Sequence, residues 1–338
     1  MRQRPRRVVF LASLAAVAFL AAGCGEKEEV GAGEPERFDL ALDFFVNPDH
    51  AGIYQALESG YFDDAGLDVR PRVPADPSAP IKQVAAGQVD LAISYEPEVM
   101  LARDQGLDVV AVAALVHGPL TSLISLPEGG IEEPADLEGK TVVTAGIPYQ
   151  TAYLETILQG AGVSPNDVDQ VDVGLNLQAP LIAGRAQAML GGFLNVEGVD
   201  LAERGLDPRV VPVDELGIPT YDELVLVADA ERLEEDPKEI AVFIDALERG
   251  TKAAAKDPAA ATASLVAADD ALDPGLTRAQ VDRTLPLLAP PNGEPFGYMD
   301  PARWEKFAAF LADQGQIDTR PVIAEVLTNE LLPGELGG

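Results

Sequence analysis

From Phe38 to Phe44 the side chains alternate, with Phe38, Leu40, Leu42 and Phe44 set against Asp39, Ala41 and Asp43, which predicts a strand with one buried face. Asn47 and Pro48 then suit the N-cap and first position of a helix. Ile53, Leu57 and Tyr61 follow at helical spacing, and Gly60 closes the turn. "LDVRPRV" predicts a second strand from Leu67, "SAPIKQVAAG" a helix capped by Ser78 or Pro80, "VDLAIS" a third strand, and "DVVAVAALV" a long apolar one. Strands and helices in alternation with short links predict a parallel sheet covered by helices.

A second series begins at "TSLISL". "PADLEGKTVVTAG" reads as helix then strand, and "PYQTAYLETILQGAG" as a helix ending at Gly160. "VDQVDVG", "QAPLIAGRAQAMLGG" and "RVVPV" complete the series. "YDELVLVAD" is strand-like again, and from Pro237 through "RPVIAEVLTNELL" the pattern is helical. Long helices after a βα series imply a chain that returns to cover its first unit. The expected architecture is two α/β lobes joined by two crossings: residues 37–117 and 222–338 in lobe 1, and residues 118–221 in lobe 2. A ligand would lie in the cleft between them, at strand ends and helix starts, and the cleft would close by hinge motion.

The N-terminus changes the picture of where this protein works. Arg2, Arg4, Arg6 and Arg7 precede the apolar run "VVFLASLAAVAFLAAG", which stops at Cys24, the single cysteine. Residues 1–23 therefore read as a signal peptide, and "RRVVF" loosely fits a twin-arginine export signal. Residues 24–36, Gly-rich and charged, read as a flexible tether. Without the signal peptide the net charge moves from −32 to −36, because four arginines and no acid are removed. Such a surface excludes nucleic acid as a partner and disfavours a strongly anionic ligand. With one cysteine the chain forms no internal disulfide.

"LAAGC" resembles the lipobox of bacterial lipoproteins, with Ala21 where a larger aliphatic residue is usual, and the resemblance makes Cys24 the site of lipid attachment. The stretches "LALDFFVNPDHAGIYQALESGYFDDAGLDV", "QVAAGQVDLAISYEPEVMLARDQGLDVVAVAAL", "DLEGKTV", "GRAQAMLGGF" and "LTNELLP" resemble the solute-binding lipoproteins of ABC importers for thiamin precursors. Those proteins bind formylaminopyrimidine or hydroxymethylpyrimidine, and related members serve riboflavin, sulfonates and nitrate. The resemblance implies a type II periplasmic-binding-protein fold, a monomer anchored by lipid to the outer face of the membrane, permease and ATPase partners, and no cofactor. In the pyrimidine binders an acid or amide is followed by Trp, then Pro-Asn and a His. Here Asp43, Phe44, Val46-Asn47 and His50 match, with Phe for Trp and Val for Pro.

The same superfamily contains the fungal thiamin pyrimidine synthase, an enzyme that consumes its own histidine and lysine-bound pyridoxal phosphate and needs a cysteine-rich stretch near iron. Alignment of "AISYEPEVM" places Ser94 and Glu98 where its lysine and histidine would be, and "PTYDE" has no cysteine. The expectation is a binder and not an enzyme. No phosphate-binding glycine loop, metal-ligand spacing or nucleophile motif accompanies His50 and His117.

Several residues are candidates for ligand contact. Asp43 can accept hydrogen bonds from an aminopyrimidine, Phe44 can stack or belong to the core, and Asn47 and His50 flank the helix start. Ser94 and Tyr95 end the third strand, with Glu98 an outside candidate. Tyr149 and Gln150 stand at a helix N-terminus. Gly191 and Gly192 permit close backbone approach, and Phe193, Asn195 and Glu197 follow them. Tyr221 is read as a hinge or gate residue and Trp304 as packing.

Overall fold

The computed structural model describes residues 35–334. The signal peptide, Cys24 and all of the tether but Pro35 and Glu36 lie outside the described residues. No helix among the described residues is long and apolar enough to cross a membrane.

The first sheet is built from β1 (Glu36–Ala41), β2 (Leu67–Arg72), β3 (Leu91–Ser94), β4 (Val109–Val116) and, after a long excursion, β10 (Leu224–Asp229), in the order β2-β1-β3-β10-β4. The second holds β5 (Thr121–Ser125), β6 (Thr141–Thr144), β7 (Asp169–Asp172), β8 (Ala188–Phe193) and β9 (Arg209–Pro212), in the order β7-β6-β8-β5-β9. The chain leaves the first sheet between Val116 and Thr121 and returns between Pro212 and Leu224. It forms two α/β lobes.

The sheets are mixed, not parallel as expected. β1 runs parallel to β2 and β3, but β10 is antiparallel to β3 and β4. In the second sheet β5 is antiparallel to β8 and β9, while β6 runs parallel to β7 and β8. Each antiparallel strand directly follows a crossing. It enters its sheet from the neighbouring lobe and not through a helix of its own, so the right-handed crossover that imposes parallel pairing does not apply.

The alternation read in the first strand holds from Phe38 to Leu40, and Ala41, expected on the polar face, is buried as well. Phe38 and Leu40 are fully buried, and Phe38 stacks on Phe243, which stacks on Phe62, with centroid separations of 4.9 and 5.0 Å. Strand geometry stops before Leu42, so Asp43 and Phe44 lie on the turn that follows. Gly250, in the helix Pro237–Lys256, faces the carbonyl of Gly52 and Ala56 of the helix Ala51–Glu58 so closely that a Cβ would collide with both. This contact lets the return helix seat against the first one.

Two segments expected to be helical are not. "PADL" is a single 3₁₀ turn, Pro134–Leu137. "RPVIAEVLTNELL" holds only a 3₁₀ turn, Ile323–Glu325, because the backbone beyond it lies along β4: Ala111 N–H donates to the Val326 carbonyl at 2.8 Å and Thr328 N–H to the Ala111 carbonyl at 2.9 Å. Sheet-edge hydrogen bonds outcompete the weak helical preference of a stretch containing Pro321, Val322 and Ile323.

Candidate ligand-binding site

Asn47 starts the site by ending the turn after β1. Its Oδ1 accepts the Asp49 N–H at 2.8 Å, its Nδ2 donates to the Phe45 carbonyl at 3.0 Å, and its backbone N–H donates to His50 Nδ1 at 3.3 Å. The expected helix opens here as a 3₁₀ turn, Pro48–His50, which continues into the helix Ala51–Glu58. Because Nδ1 accepts, the ring proton sits on Nε2, which donates to Asp43 Oδ1 at 2.9 Å. The second oxygen of Asp43 accepts the Tyr95 hydroxyl at 2.9 Å. Tyr95 is the N-cap position of the helix Glu96–Asp104, so one buried chain of hydrogen bonds links two helix starts of the first lobe.

The opposite wall is the N-terminus of the helix Pro148–Gly160 and the end of β8. Gln150 Oε1 accepts the Ala145 N–H at 2.8 Å, which turns the amide nitrogen toward Gly191. Gly191 has φ +109°, and a Cβ there would strike Gln150 Nε2. Only glycine holds this backbone and leaves room for the amide. Glu197 Oε2 accepts the Phe193 N–H at 2.7 Å.

Between these walls lies a narrow cleft. Phe44, Asn47 and Tyr95 line it from the first lobe; Ala145, Ile147, Tyr149, Gln150, Gly191, Phe193, Val196 and Glu197 line it from the second. The ring centroids of Tyr95 and Tyr149 are 5.6 Å apart, and Phe193 stands edge-on to Tyr95 at 6.5 Å. No Arg or Lys is among the lining residues. The cleft opens into a groove of about 1180 Å³ that shares Phe44, Asn47, Val196 and Glu197.

The electrostatics are those of a buried acidic site. Burial pushes Glu197 up to about 7 against the pull of the Phe193 N–H, so this carboxyl can hold a proton near neutrality. Burial first, then the charge of Asp43, raises the Tyr95 phenol well above its ordinary value. The Tyr149 hydroxyl is buried without a hydrogen-bond partner. Burial also pushes Glu98 and Glu223 up to about 7.

The sequence candidates thus divide. Phe44, Asn47, Tyr95, Tyr149, Gln150, Phe193 and Glu197 line the cleft. Asp43 and His50 stand behind its wall, their polar atoms taken by Tyr95, Asn47 and each other. Ser94 is fully buried and donates to Glu98 Oε2 at 2.5 Å, away from the lining. Gly192 points its missing side chain at Met189 and Ile124 in the core of the second lobe, and its neighbour Gly191 takes the cleft position. Asn195 bridges the lobes through Asp49 and Thr284. Tyr221 is wholly buried, packed between Tyr153 and Phe307, with its hydroxyl on Glu223 at 3.0 Å.

Sequence reasoning passed over Ala145, Ile147 and Val196 as lining residues, and Asp49 and Glu223 as buried acids. Glu223 accepts the Leu120 and Thr121 N–H groups at 2.7 Å each and the Thr121 hydroxyl at 2.8 Å, tying the two crossings together. Nothing in a chain with 56 acids marks which of them are buried. Trp304 is packing, as expected, and its Nε1 donates to Asp222 Oδ2 at 2.7 Å.

The chain is 36% identical over 294 residues to the formylaminopyrimidine-binding protein of Halalkalibacterium halodurans, covering 86% of this chain and 88% of that one. It is 27% identical over 237 residues to 4-amino-5-hydroxymethyl-2-methylpyrimidine phosphate synthase of Aspergillus parasiticus, with 67% and 69% covered. Its fold matches the alkanesulfonate-binding protein SsuA of Xanthomonas axonopodis pv. citri, bound to MOPS, at a TM-score of 0.70 and 16% identity over 88% of this chain and 99% of that one. The periplasmic-binding-protein fold implied by the sequence is therefore the fold observed. Residues 47–261 match the family model described as NMT1/THI5 like, and the chain belongs to that family.

Proposed function

We propose that this protein is the extracytoplasmic solute-binding subunit of an ABC importer and that its ligand is a small, flat, nitrogen-rich heterocycle of the aminopyrimidine class, such as formylaminopyrimidine or hydroxymethylpyrimidine. The observation that carries this reading is the cleft itself: four aromatic rings, a Gln150 amide, the Tyr149 hydroxyl and a neutralisable Glu197, with no lining cation. A flat ring can pack among the aromatic side chains. A carboxyl that gains or loses its proton near neutrality can accept from an exocyclic amine or donate to a ring nitrogen. A sulfonate or nitrate would require a paired cation that the lining lacks.

Lobes hinged at residues 117–120 and 213–223 would close on the ligand, and a lipid on Cys24 would hold the protein beside its permease. The synthase reading is disfavoured because neither a lysine nor a histidine lines the cleft.

A thermal-shift series with formylaminopyrimidine, hydroxymethylpyrimidine, thiamin, riboflavin, taurine and nitrate tests the proposal. A pyrimidine at 100 times its Kd is expected to add about 2.7 kcal/mol of stability. Stabilisation by taurine or nitrate alone would overturn the assigned ligand class.

A further inference from the structure

The loop that carries Glu197 also joins the lobes. Asn195, wholly buried, extends its Nδ2 from the second lobe to Asp49 Oδ1 and Thr284 Oγ1 in the first, each at 2.8 Å. Beside it, Gln280 Nε2 donates to the Val196 carbonyl at 2.9 Å. Both amide hydrogens of Asn195 are therefore spent. Its Oδ1 and the Oδ2 of Asp49 are buried with no hydrogen-bond partner. Two acceptors without a donor at one buried contact are costly while Asp49 is ionised. One proton on that carboxyl removes the charge and supplies the missing donor.

The surroundings offer Asp49 no cation. His50, on the same turn, is committed to Asp43 and the Asn47 N–H. Burial first, then the charge of Asp43, with smaller contributions from Glu197 and Glu223, holds the Asp49 carboxyl well above the usual carboxylate range, against the downward pull of the Asn195 hydrogen bond. Among the elements packed on its turn, the helix Ala51–Glu58 carries Tyr54 and the exposed Glu58. The helix Pro258–Ala268 and the turn Leu285–Leu288 contain no ionisable residue. The helix Pro274–Thr284 carries Arg278, paired with Asp282 on its outer side, and the exposed Arg283.

We propose that Asp49 and Asn195 form a proton-dependent clasp: protonated Asp49 pairs with the Asn195 carboxamide across the cleft, closure takes up that proton, and ligand is held more tightly at acidic than at alkaline pH. In the clasp Asp49 Oδ2–H donates to Asn195 Oδ1 while Asn195 Nδ2–H donates to Asp49 Oδ1, the two-point pairing of a carboxylic acid with a primary amide. The direction follows from linkage. Below the ordinary carboxylate pKa both open and closed forms hold the proton and closure is fully favoured. As pH rises toward the raised value of the closed form, only the closed form retains it, and closure weakens about tenfold per pH unit for one proton.

The proposal rests on the importer reading, and the test separates the two. Titration calorimetry of the full chain with formylaminopyrimidine, in buffers of different ionisation enthalpy at neutral pH, counts protons taken up on binding. The natural protein is expected to take up about one proton more than Asp49→Asn, whose amide is a permanent donor, and Kd of the variant should rise less steeply with pH by about tenfold per unit. Asp49→Ser, which removes the titrating carboxyl but keeps a hydrogen-bonding side chain, should lose the same proton and serves if Asp49→Asn does not fold. Equal uptake and parallel pH profiles in all three proteins would overturn the clasp. If formylaminopyrimidine gives no heat, the ligand assignment fails and small-angle scattering reads the clasp alone. The natural protein should then expand from acidic to alkaline pH while Asp49→Asn holds one radius of gyration, and identical expansion in both would overturn the proposal.

Discussion

On the first-lobe wall of the cleft, Asp43, His50, Asn47 and the Tyr95 hydroxyl satisfy one another in a closed chain; on the second-lobe wall, Gln150, Glu197 and Tyr149 each keep polar capacity unspent. The first wall is set in shape before a ligand arrives, because every group in it is oriented by another protein group. The second wall holds the hydrogen-bonding capacity that a ligand can use. On the proposed ligand reading, preorganisation and recognition are divided between lobes, and binding would need both walls brought together.

The largest expected effect comes from breaking the first wall. Asp43→Ala leaves the Tyr95 hydroxyl and His50 Nε2–H buried without acceptors, at about 3 kcal/mol of stability. Chemical denaturation should show the loss with or without ligand, and a variant as stable as the natural protein would mean that the chain Tyr95–Asp43–His50 is not what holds this wall.

Glu197→Gln sharpens the comparison, since it changes recognition on the second wall. The amide still accepts the Phe193 N–H but cannot change protonation, so ligand affinity should fall by about 2 kcal/mol, near thirtyfold, with stability almost unchanged. Calorimetry and thermal melts on the same samples separate the two. A smaller effect is expected at Phe44, half-buried on the cleft side. Phe44→Leu keeps apolar cover but loses the ring, and Kd for a pyrimidine should rise by a factor corresponding to about 1 kcal/mol. No change in Kd would place Phe44 with the wall and not with the ligand.

The polar crowding from Asp43 to His50 is legible in the sequence, but its inner arrangement is not. On the polar phase of an alternating strand, Asp43 is expected to face a ligand. The strand in fact ends at Ala41, and the turn beyond it points Asp43 inward to Tyr95, 52 residues later in the chain. Phase arguments lapse where the strand does. Gly191 and Gly192 show the same limit, since two adjacent glycines look alike in sequence and only the positive φ of Gly191 places it against Gln150.

What the sequence determined by itself is local or periodic: the Asn47-Pro48 helix start, the buried face of β1, the long helices from Pro237, and the resemblance that implied the fold. Backbone sterics, capping and hydrophobic period act over a few residues and leave their mark on neighbouring letters. Tertiary structure decided the antiparallel entry of β5 and β10, the extended path of the C-terminal segment along β4, and which acids are buried. Each of these depends on partners far along the chain: the carboxyls of Asp49, Glu197 and Glu223 differ from their exposed counterparts chiefly because the assembled lobes remove water around them.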